Sequence, residues 1–323
     1  MYLFSTSFFI LLLLIVWLFK KKMILGIWSI SVFNSRSILS SFPGEEKFKE
    51  PTLQASDVWD VPAEFVADPF IIAHDNKFFM FFEILDKSTG KGIIGLASSE
   101  DGDHWNYERA VIKENYHLSY PYVFKHNDSI YMIPETSEAN KVLLYKAKNF
   151  PYEWEIASEL LQGNYVDSSI FKYDGKWWIF AGKSGKLHLF YSDDLEKNWT
   201  EHPKSPLITN NYSITRPGGR VIVENNNIYR YTQDGKPYYG SAVRVFKITK
   251  LSEVEYQEEE ISKVLNGSKR ELDWNRDGMH SVDHLEISKD HWLIAVDGHK
   301  FKNMNYLSWK IDRLLARWIV KVK

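Results

Sequence analysis

The stretch VDSSIFKYDGKWWIFAG, Val166 to Gly182, is a short strand, a polar turn at Tyr173-Asp174-Gly175-Lys176 and a second strand rich in aromatic residues. That order is a hairpin signature. It recurs in ADPFIIAHDNKFFMFFE from Ala67, with the turn His74-Asp75-Asn76-Lys77, in SYPYVFKHNDSIYMIPE from Ser119 and in RPGGRVIVENNNIYRYTQ from Arg216. A looser fifth copy, GMHSVDHLEISKDHWLIAVD, starts at Gly278. In three copies eleven residues separate a leading residue from its aromatic partner: Asp68 from Phe79, Tyr120 from Tyr131, Asp167 from Trp178. Further strands follow three of the hairpins and end in SSEDGDHW at Trp105, YKAKNFPYEW at Trp154 and YSDDLEKNW at Trp199. Each unit of roughly fifty residues therefore holds about four strands, which cannot bury their faces alone. Radial stacking hides most of their edges, so the fold expected is all-β, a five-bladed β-propeller over residues 25–305. A β-sandwich would explain the strands but not the period.

Composition fits this reading. Of 323 residues, 44% are hydrophobic and 15% aromatic, too many for disorder. The 40 Lys and Arg against 42 Asp and Glu leave a formal charge of −2, without the basic excess that a nucleic-acid partner would call for. The absence of cysteine removes disulfides, thiolate nucleophiles and Cys-ligated zinc together.

The ends differ from the middle. Residues Leu3 to Phe19 read LFSTSFFILLLLIVWLF and run into Lys20-Lys21-Lys22. About seventeen apolar residues is the lower edge for spanning a bilayer, and the charge order is not that of a cleaved signal. Residues 1–24 are accordingly expected to form a short apolar helix anchoring the chain in a membrane, with the propeller on the cytoplasmic side by the positive-inside rule. If Met23 is the true start, the chain is soluble and cytoplasmic. Residues 306–323, including WKIDRLLARWIVKVK, mix basic and apolar residues at helical spacing, as a helix on an anionic membrane or one closing the propeller would.

In a propeller the first strand of each blade lines the channel, so the leading residues Asp68, Tyr120, Asp167, Arg216 and His280 should converge. Ionised groups have no packing reason to gather in an apolar interior. Either they form a ring of ion pairs between blades, or they form a site, and a site is favoured because clustered titratable groups in a cleft mark one. Glu83 and Glu135 end the second strands of blades one and two, where they would reach the pocket or cap turns. Trp274, in the polar run Asp273-Trp274-Asn275-Arg276-Asp277-Gly278, is a candidate sugar platform or part of a closing loop. Gly218 and Gly219 suit a bulge or a close backbone approach, since no helix follows them as a phosphate loop requires. No spacing for zinc, no EF-hand loop, no nucleophile elbow and no nucleotide fingerprint is present, so neither metal nor cofactor is expected.

Ala67-Asp68-Pro69-Phe70-Ile71 and Val166-Asp167-Ser168-Ser169-Ile170-Phe171 resemble the blade-one and blade-three motifs of glycoside hydrolase family 43 and its furanosidase relatives. That resemblance implies Asp68 as general base and Asp167 as the residue tuning the general acid. A wider resemblance spans Leu25 to His299. The strings Asp60-Val61-Pro62-Ala63-Glu64-Phe65-Val66-Ala67-Asp68-Pro69-Phe70, His117-Leu118-Ser119-Tyr120-Pro121-Tyr122-Val123-Phe124, Ile133-Pro134-Glu135-Thr136 and Arg216-Pro217-Gly218-Gly219 are similar to the N-terminal domain of plant glucosamine inositolphosphorylceramide transferase and to stand-alone bacterial proteins. In the plant enzymes a separate C-terminal domain has the look of the glycosyltransferase. The furanosidase acid is a glutamate opening blade four, where this chain has Arg216-Pro217-Gly218-Gly219-Arg220. Either Glu135 or Glu83 then supplies the proton, or the leaving group is a phosphate that Arg216 and Arg220 would stabilise.

The reading is a carbohydrate-active protein that hydrolyses or transfers a glycosyl unit in surface polysaccharide or glycolipid metabolism. Asp68, Asp167, Glu135 and Glu83 are its catalytic candidates; Tyr120, Arg216, Arg220, Trp274, Arg276 and His280 are its substrate-binding candidates. The alternative is a non-catalytic, membrane-tethered glycan-binding propeller. A protein-interaction scaffold would leave the charged channel unexplained.

Overall fold

The hairpin turns take the backbone their residues prescribe. Asp75 and Asn76 have φ of 48° and 59°, Asp174 and Gly175 49° and 78°, and Asn225 and Asn226 48° and 62°. Two successive positive φ angles make a type I′ turn, whose twist matches that of the strands it joins. The structure, a computed structural model, describes residues 17, 19–39 and 50–322. It contains five antiparallel sheets that follow one another along the chain.

Blade one comprises Ala63–His74, Lys77–Asp86, Lys91–Ser99 and Asn106–Ile112, and blade two Ser119–His126, Ser129–Glu135, Lys141–Asn149 and Glu153–Gln162. Blade three is built on Val166–Tyr173, Lys176–Lys183 and Lys186–Ser192, with two short outer strands. In blade four the inner strand is broken into Arg216–Pro217 and Ile222–Glu224, ahead of Asn227–Asp234, Ala242–Leu251 and Tyr256–Asn266. Blade five has Val282–Ser288 inside and His291–Asn305 in the middle, and its outer strand is Lys22–Ser35, from the other end of the chain. The register runs without interruption from Lys22 opposite Asn305 to Ser35 opposite Trp292, so the ring is closed by backbone pairing.

The recurring tryptophans lock the turns before the outer strands. Trp105 Nε1 donates to Gly102 O at 2.9 Å, Trp154 Nε1 to Pro151 O at 2.9 Å and Trp199 Nε1 to Leu195 O at 3.2 Å. Between blades the core is largely aromatic: Phe81 meets Trp154 edge-on at 5.3 Å, and Phe124 meets Trp177 at 5.8 Å. Gly218 and Gly219 break the inner strand of blade four where it approaches blade five. Val282 N donates to Gly218 O at 2.9 Å, and a Cβ on Gly219 would stand 2.0 Å from Val282 O. The glycines serve close backbone approach.

The expected apolar helix falls largely outside the described residues; among these, no helix is long and apolar enough to cross a membrane. The chain does end in a helix, α1 (Tyr306–Val322). It is fastened to blade one by polar side chains: Arg313 to Glu64 at 2.8 Å, Asp312 to Lys87 at 2.9 Å, and Arg317 Nε to Ser88 O at 2.7 Å.

Candidate functional site

The leading residues share an unusual backbone. Asp68, Tyr120 and Asp167 have φ of 53°, 46° and 51°, and the strand register slips beside each one. Left-handed backbone at a non-glycine residue costs on the order of 1–3 kcal/mol, and a bulge re-aims a side chain. The same deformation at three equivalent positions, under Asp and Tyr alike, belongs to the channel rather than to any one residue type.

A second ring stands across from the first. Glu83 pairs with Ala67, Glu135 with Ser119, Gly182 with Val166 and Gln233 with Arg216, while Asp297 N donates to Ser281 O. Asp297 is the hub of one half. Its carboxylate accepts from Asp68 N at 3.0 Å, His280 N at 3.1 Å and Ser281 N at 3.0 Å, and it stands 2.8 Å from His280 Nδ1. His280 Nε2 faces Asp68 Oδ1 at 3.6 Å, and the imidazole lies 4.0 Å from the Trp28 ring. Arg216 is the hub of the other half. Its Nε donates to Asp167 Oδ2, and its Nη2 is 3.3 Å from Glu135 Oε2. Gln233 Nε2 donates to Asp167 at 2.6 Å, and Ser137 Oγ to Glu135 at 2.7 Å.

Asp68 Oδ1, Asp167 Oδ1 and Gln233 Oε1 are buried without a hydrogen-bond partner among the described residues. Three acceptors from three blades thus have no internal donor, an arrangement costly unless a ligand's hydroxyl or ammonium group supplies one.

Burial sets the protonation states. It lifts Asp68 to about 7, with His280 and Arg216 pulling down and Asp297 and Asp167 pushing up. Glu135 rises to about 8, again through burial and then the Asp167 charge, against Arg216. Glu83 is driven well above the carboxylate range by burial and by Asp68, Glu135 and Asp167. Burial pulls His280 down, but Asp297 and Asp68 more than offset it and its pKa is raised. At neutral pH the channel therefore holds a protonated Glu135 and an Asp68 near half-ionisation, the mixture that acid–base chemistry needs.

A cavity of about 350 Å³ opens between blades three and four, at the one second-ring position occupied by glycine, Gly182. Arg216, Lys183 and Lys186 line it, with Tyr212 and Tyr239 and no acidic residue. Its size suits a small ligand. Tyr239 and Tyr212 are 49% and 63% exposed, and the Tyr239 ring lies 5.2 Å from the Arg216 guanidinium, so these are the aromatic faces a sugar can stack on.

Not every expected residue joins this site. Trp274 is only 6% exposed and belongs to the core between blades four and five, where it can hold no sugar. Arg276 pairs with Asp277 at 2.6 Å and lines a different cavity, beside α1. Arg220 pairs with Asp283 at 2.7 Å and donates to Ile71 O and Val123 O, three residues deeper along the inner strands than Asp68 and Tyr120. It clamps blades one, two, four and five together and does not face the cavity. Tyr120 is fully buried, its hydroxyl 2.9 Å from Ser169 Oγ, which bonds in turn to Gly219 O, so it braces the wall.

Asp297, Gln233, Tyr239 and Trp28 were not singled out by the sequence. Asp297 and Gln233 end the same aligned segments that end in Glu83 and Glu135, which was the available signal. Asp68, His280 and Asp297 also form a group whose ligand atoms come within 4.8 Å of one another and could hold a metal ion. The Asp297 carboxylate already serves three backbone N–H groups and an imidazole, which suits an anchor for His280 better than a metal ligand.

Comparison with known proteins agrees with this architecture. The family described as glucosamine inositolphosphorylceramide transferase 1, N-terminal, matches residues 24–299. Glucosamine inositolphosphorylceramide transferase 1 from Oryza sativa subsp. japonica is 33% identical over 301 residues, covering 85% of this chain and 40% of that protein. The Arabidopsis thaliana protein of the same name is 34% identical, and this chain covers 39% of it. The chain thus spans about two fifths of these relatives. Among solved structures, an exo-1,5-α-L-arabinanase from a bovine ruminal metagenomic library superposes with a TM-score of 0.54 at 17% identity, over 76% of this chain and 94% of that one. The Bombyx mori GH32 β-fructofuranosidase gives 0.51 at 16% identity, over 71% and 54%. At such identities the likeness is one of fold.

Proposed function

The chain belongs to the glucosamine inositolphosphorylceramide transferase 1 N-terminal family, and from that premise we propose that it is a carbohydrate-active enzyme that hydrolyses or transfers a glycosyl unit. The observation carrying the proposal is that Asp68 and Glu135, both buried and both acted on by the charges of Asp167 and Arg216, titrate apart: one carboxyl group is near half-ionisation at pH 7 and the other is protonated. Glycosyl transfer needs a proton donor for the departing oxygen and a base or nucleophile for the other partner. Glu135 is the donor. Asp68 is the base, oriented by Asp297 and His280. Asp167 holds Arg216 beside Glu135 and presents one free oxygen to the substrate.

The lining of the cavity favours a substrate carrying a negative charge. Lys183, Lys186 and Arg216 line it and no acidic residue does, and Arg216, although paired with Asp167 and Glu135 behind the wall, reaches the opening together with Gln233. A phosphate-bearing glycosyl donor or glycolipid acceptor fits there, since guanidinium binds phosphate in bidentate fashion. The test is turnover of a panel of aryl glycosides, sugar phosphates and sugar nucleotides by wild type, Asp68→Asn and Glu135→Gln. Activity in wild type that both substitutions abolish is expected. Glycan binding without turnover, unchanged in both variants, would overturn the enzyme in favour of a glycan-binding propeller.

A further inference from the structure

The polarity of α1 is inverted relative to an ordinary surface helix. Arg313, Asp312 and Arg317 bond to the propeller, whereas Ile311, Leu314, Leu315 and Trp318 are 47%, 60%, 55% and 66% exposed. These four stand at i, i+3, i+4 and i+7, one continuous stripe. Helices of soluble domains turn such a stripe inward; here it points outward. It is also adjacent to the end of the apolar run. Tyr306 N donates to Lys21 O, Asn305 Nδ2 to Phe19 O, and Lys21 Nζ stands 4.3 Å from the Tyr306 ring, with Trp17 and Phe19 themselves 55% and 60% exposed.

We propose that this stripe docks on the surface of a lipid bilayer containing anionic lipids, with α1 lying in the plane of the interface beside Phe19, the residue at which the apolar run of the sequence ends. Two independent observations select a membrane over a protein partner. The first is continuity: seventeen residues of nearly uninterrupted apolar sequence end at Phe19, whose carbonyl contacts the residue preceding α1. The second is charge: Lys20, Lys21, Lys22, Lys302 and Lys310 are all exposed around the same junction. Basic residues flanking an apolar, Trp-bearing stripe are the pattern of helices held at an anionic interface. Docking there would orient the propeller relative to the bilayer.

Absence of cysteine makes the test direct. The full chain carrying Leu315→Cys is labelled with an environment-sensitive fluorophore and added to phosphatidylcholine vesicles with or without phosphatidylglycerol; Lys250→Cys, exposed on blade four, is the control. The expected result is a blue shift at position 315, quenching by lipids brominated in the acyl chain, stronger response with phosphatidylglycerol, and no change at position 250. Label that stays wet and unquenched at 315 while the chain sediments with vesicles would show that the apolar segment alone binds, and overturn the proposal. Label already dry without lipid would overturn it too: if independent of dilution, the chain's own segment covers the stripe; if lost on dilution, a second copy does. As a second variant, Ile311→Ser with Trp318→Ser in the labelled chain should abolish the shift, with the far-ultraviolet spectrum unchanged.

Discussion

Replacing Asp68 by Asn should make the protein more stable, by an amount that depends on pH. In the folded chain the carboxyl of Asp68 titrates at about 7, against 3.8 for an unburied aspartate. That gap is about three pH units, and at ~1.4 kcal/mol per unit the buried ionised form costs on the order of 4 kcal/mol relative to the unfolded chain. The opposing attractions of His280 and Arg216 are already contained in it. The sign follows from proton binding. Between pH 3.8 and about 7 the Asp68 carboxyl of the folded state holds a proton that the unfolded state has lost, so the contribution of Asp68 to stability falls as pH rises through this window and levels off above it. Asparagine carries no such charge and tolerates the φ of 53° as aspartate does, and the backbone N–H bond to Asp297 is unaffected. Urea denaturation of both proteins from pH 4 to 8.5 measures the difference. Expected is an advantage for Asp68→Asn that grows with pH across the window and saturates near 4 kcal/mol in order of magnitude. A difference that is flat with pH, or a variant less stable than wild type at pH 8, would refute the claim that Asp68 is held against its own ionisation.

Three other substitutions probe the site and a neighbouring part of the core. Glu135→Gln should lower turnover by about 100- to 10,000-fold for substrates with poor leaving groups, and should remove the fall in activity expected of wild type as pH rises through about 8, measured as a pH–rate profile. Asp297→Asn leaves the backbone donors and His280 around a neutral group; unfolding free energy should drop by about 3–5 kcal/mol, the usual result of removing one partner from a buried charge network. Trp274→Ala should cost about 3–5 kcal/mol through the cavity it leaves, with substrate KM unchanged, because the ring is core and not a platform.

The propeller was legible because its period survives in the turns and in the locking tryptophans, which are local features. The leading ring was legible for the same reason: alignment by turn puts Asp68, Tyr120, Asp167, Arg216 and His280 in register. Asp297 and Gln233 stand in the same alignment, at its far end. They escaped notice because the segments from Gly278 and Arg216 are longer than the seventeen-residue copies that end at Glu83, Glu135 and Gly182. The strand Lys22–Ser35 was hidden differently, since its apolar residues follow directly on the apolar run and its partner, His291–Asn305, lies at the other end of the chain. Trp274 and Arg220 mark the limit of pattern reading. Trp274 sits in a polar string that looks exposed, yet Gly298 makes room for it: a Cβ there would stand 2.8 Å from the indole. Arg220 finds its carboxylate in Asp283, 63 residues later, a pairing no local spacing encodes.

The missing acid of blade four is the case where sequence position and spatial position separate. Resemblance to furanosidases asks for a glutamate where Arg216 stands, and read blade by blade the chain lacks it. In three dimensions the side chain of Arg216 reaches back to Glu135 Oε2 at 3.3 Å, so a carboxyl group held protonated at neutral pH occupies the neighbourhood of the expected one, contributed by blade two. The two arrangements differ in what reaches the opening. A glutamate opening blade four would present a bare acid to the substrate, whereas here the acid lies behind a guanidinium that is partly exposed in the cavity. A substrate entering by this cavity meets Arg216 before Glu135, and a group able to draw the guanidinium away from Asp167 and Glu135 is a negatively charged one. Displacement of Arg216 would also remove a charge that now lowers the pKa of Glu135, and so fasten the proton on the acid at the moment the substrate arrives.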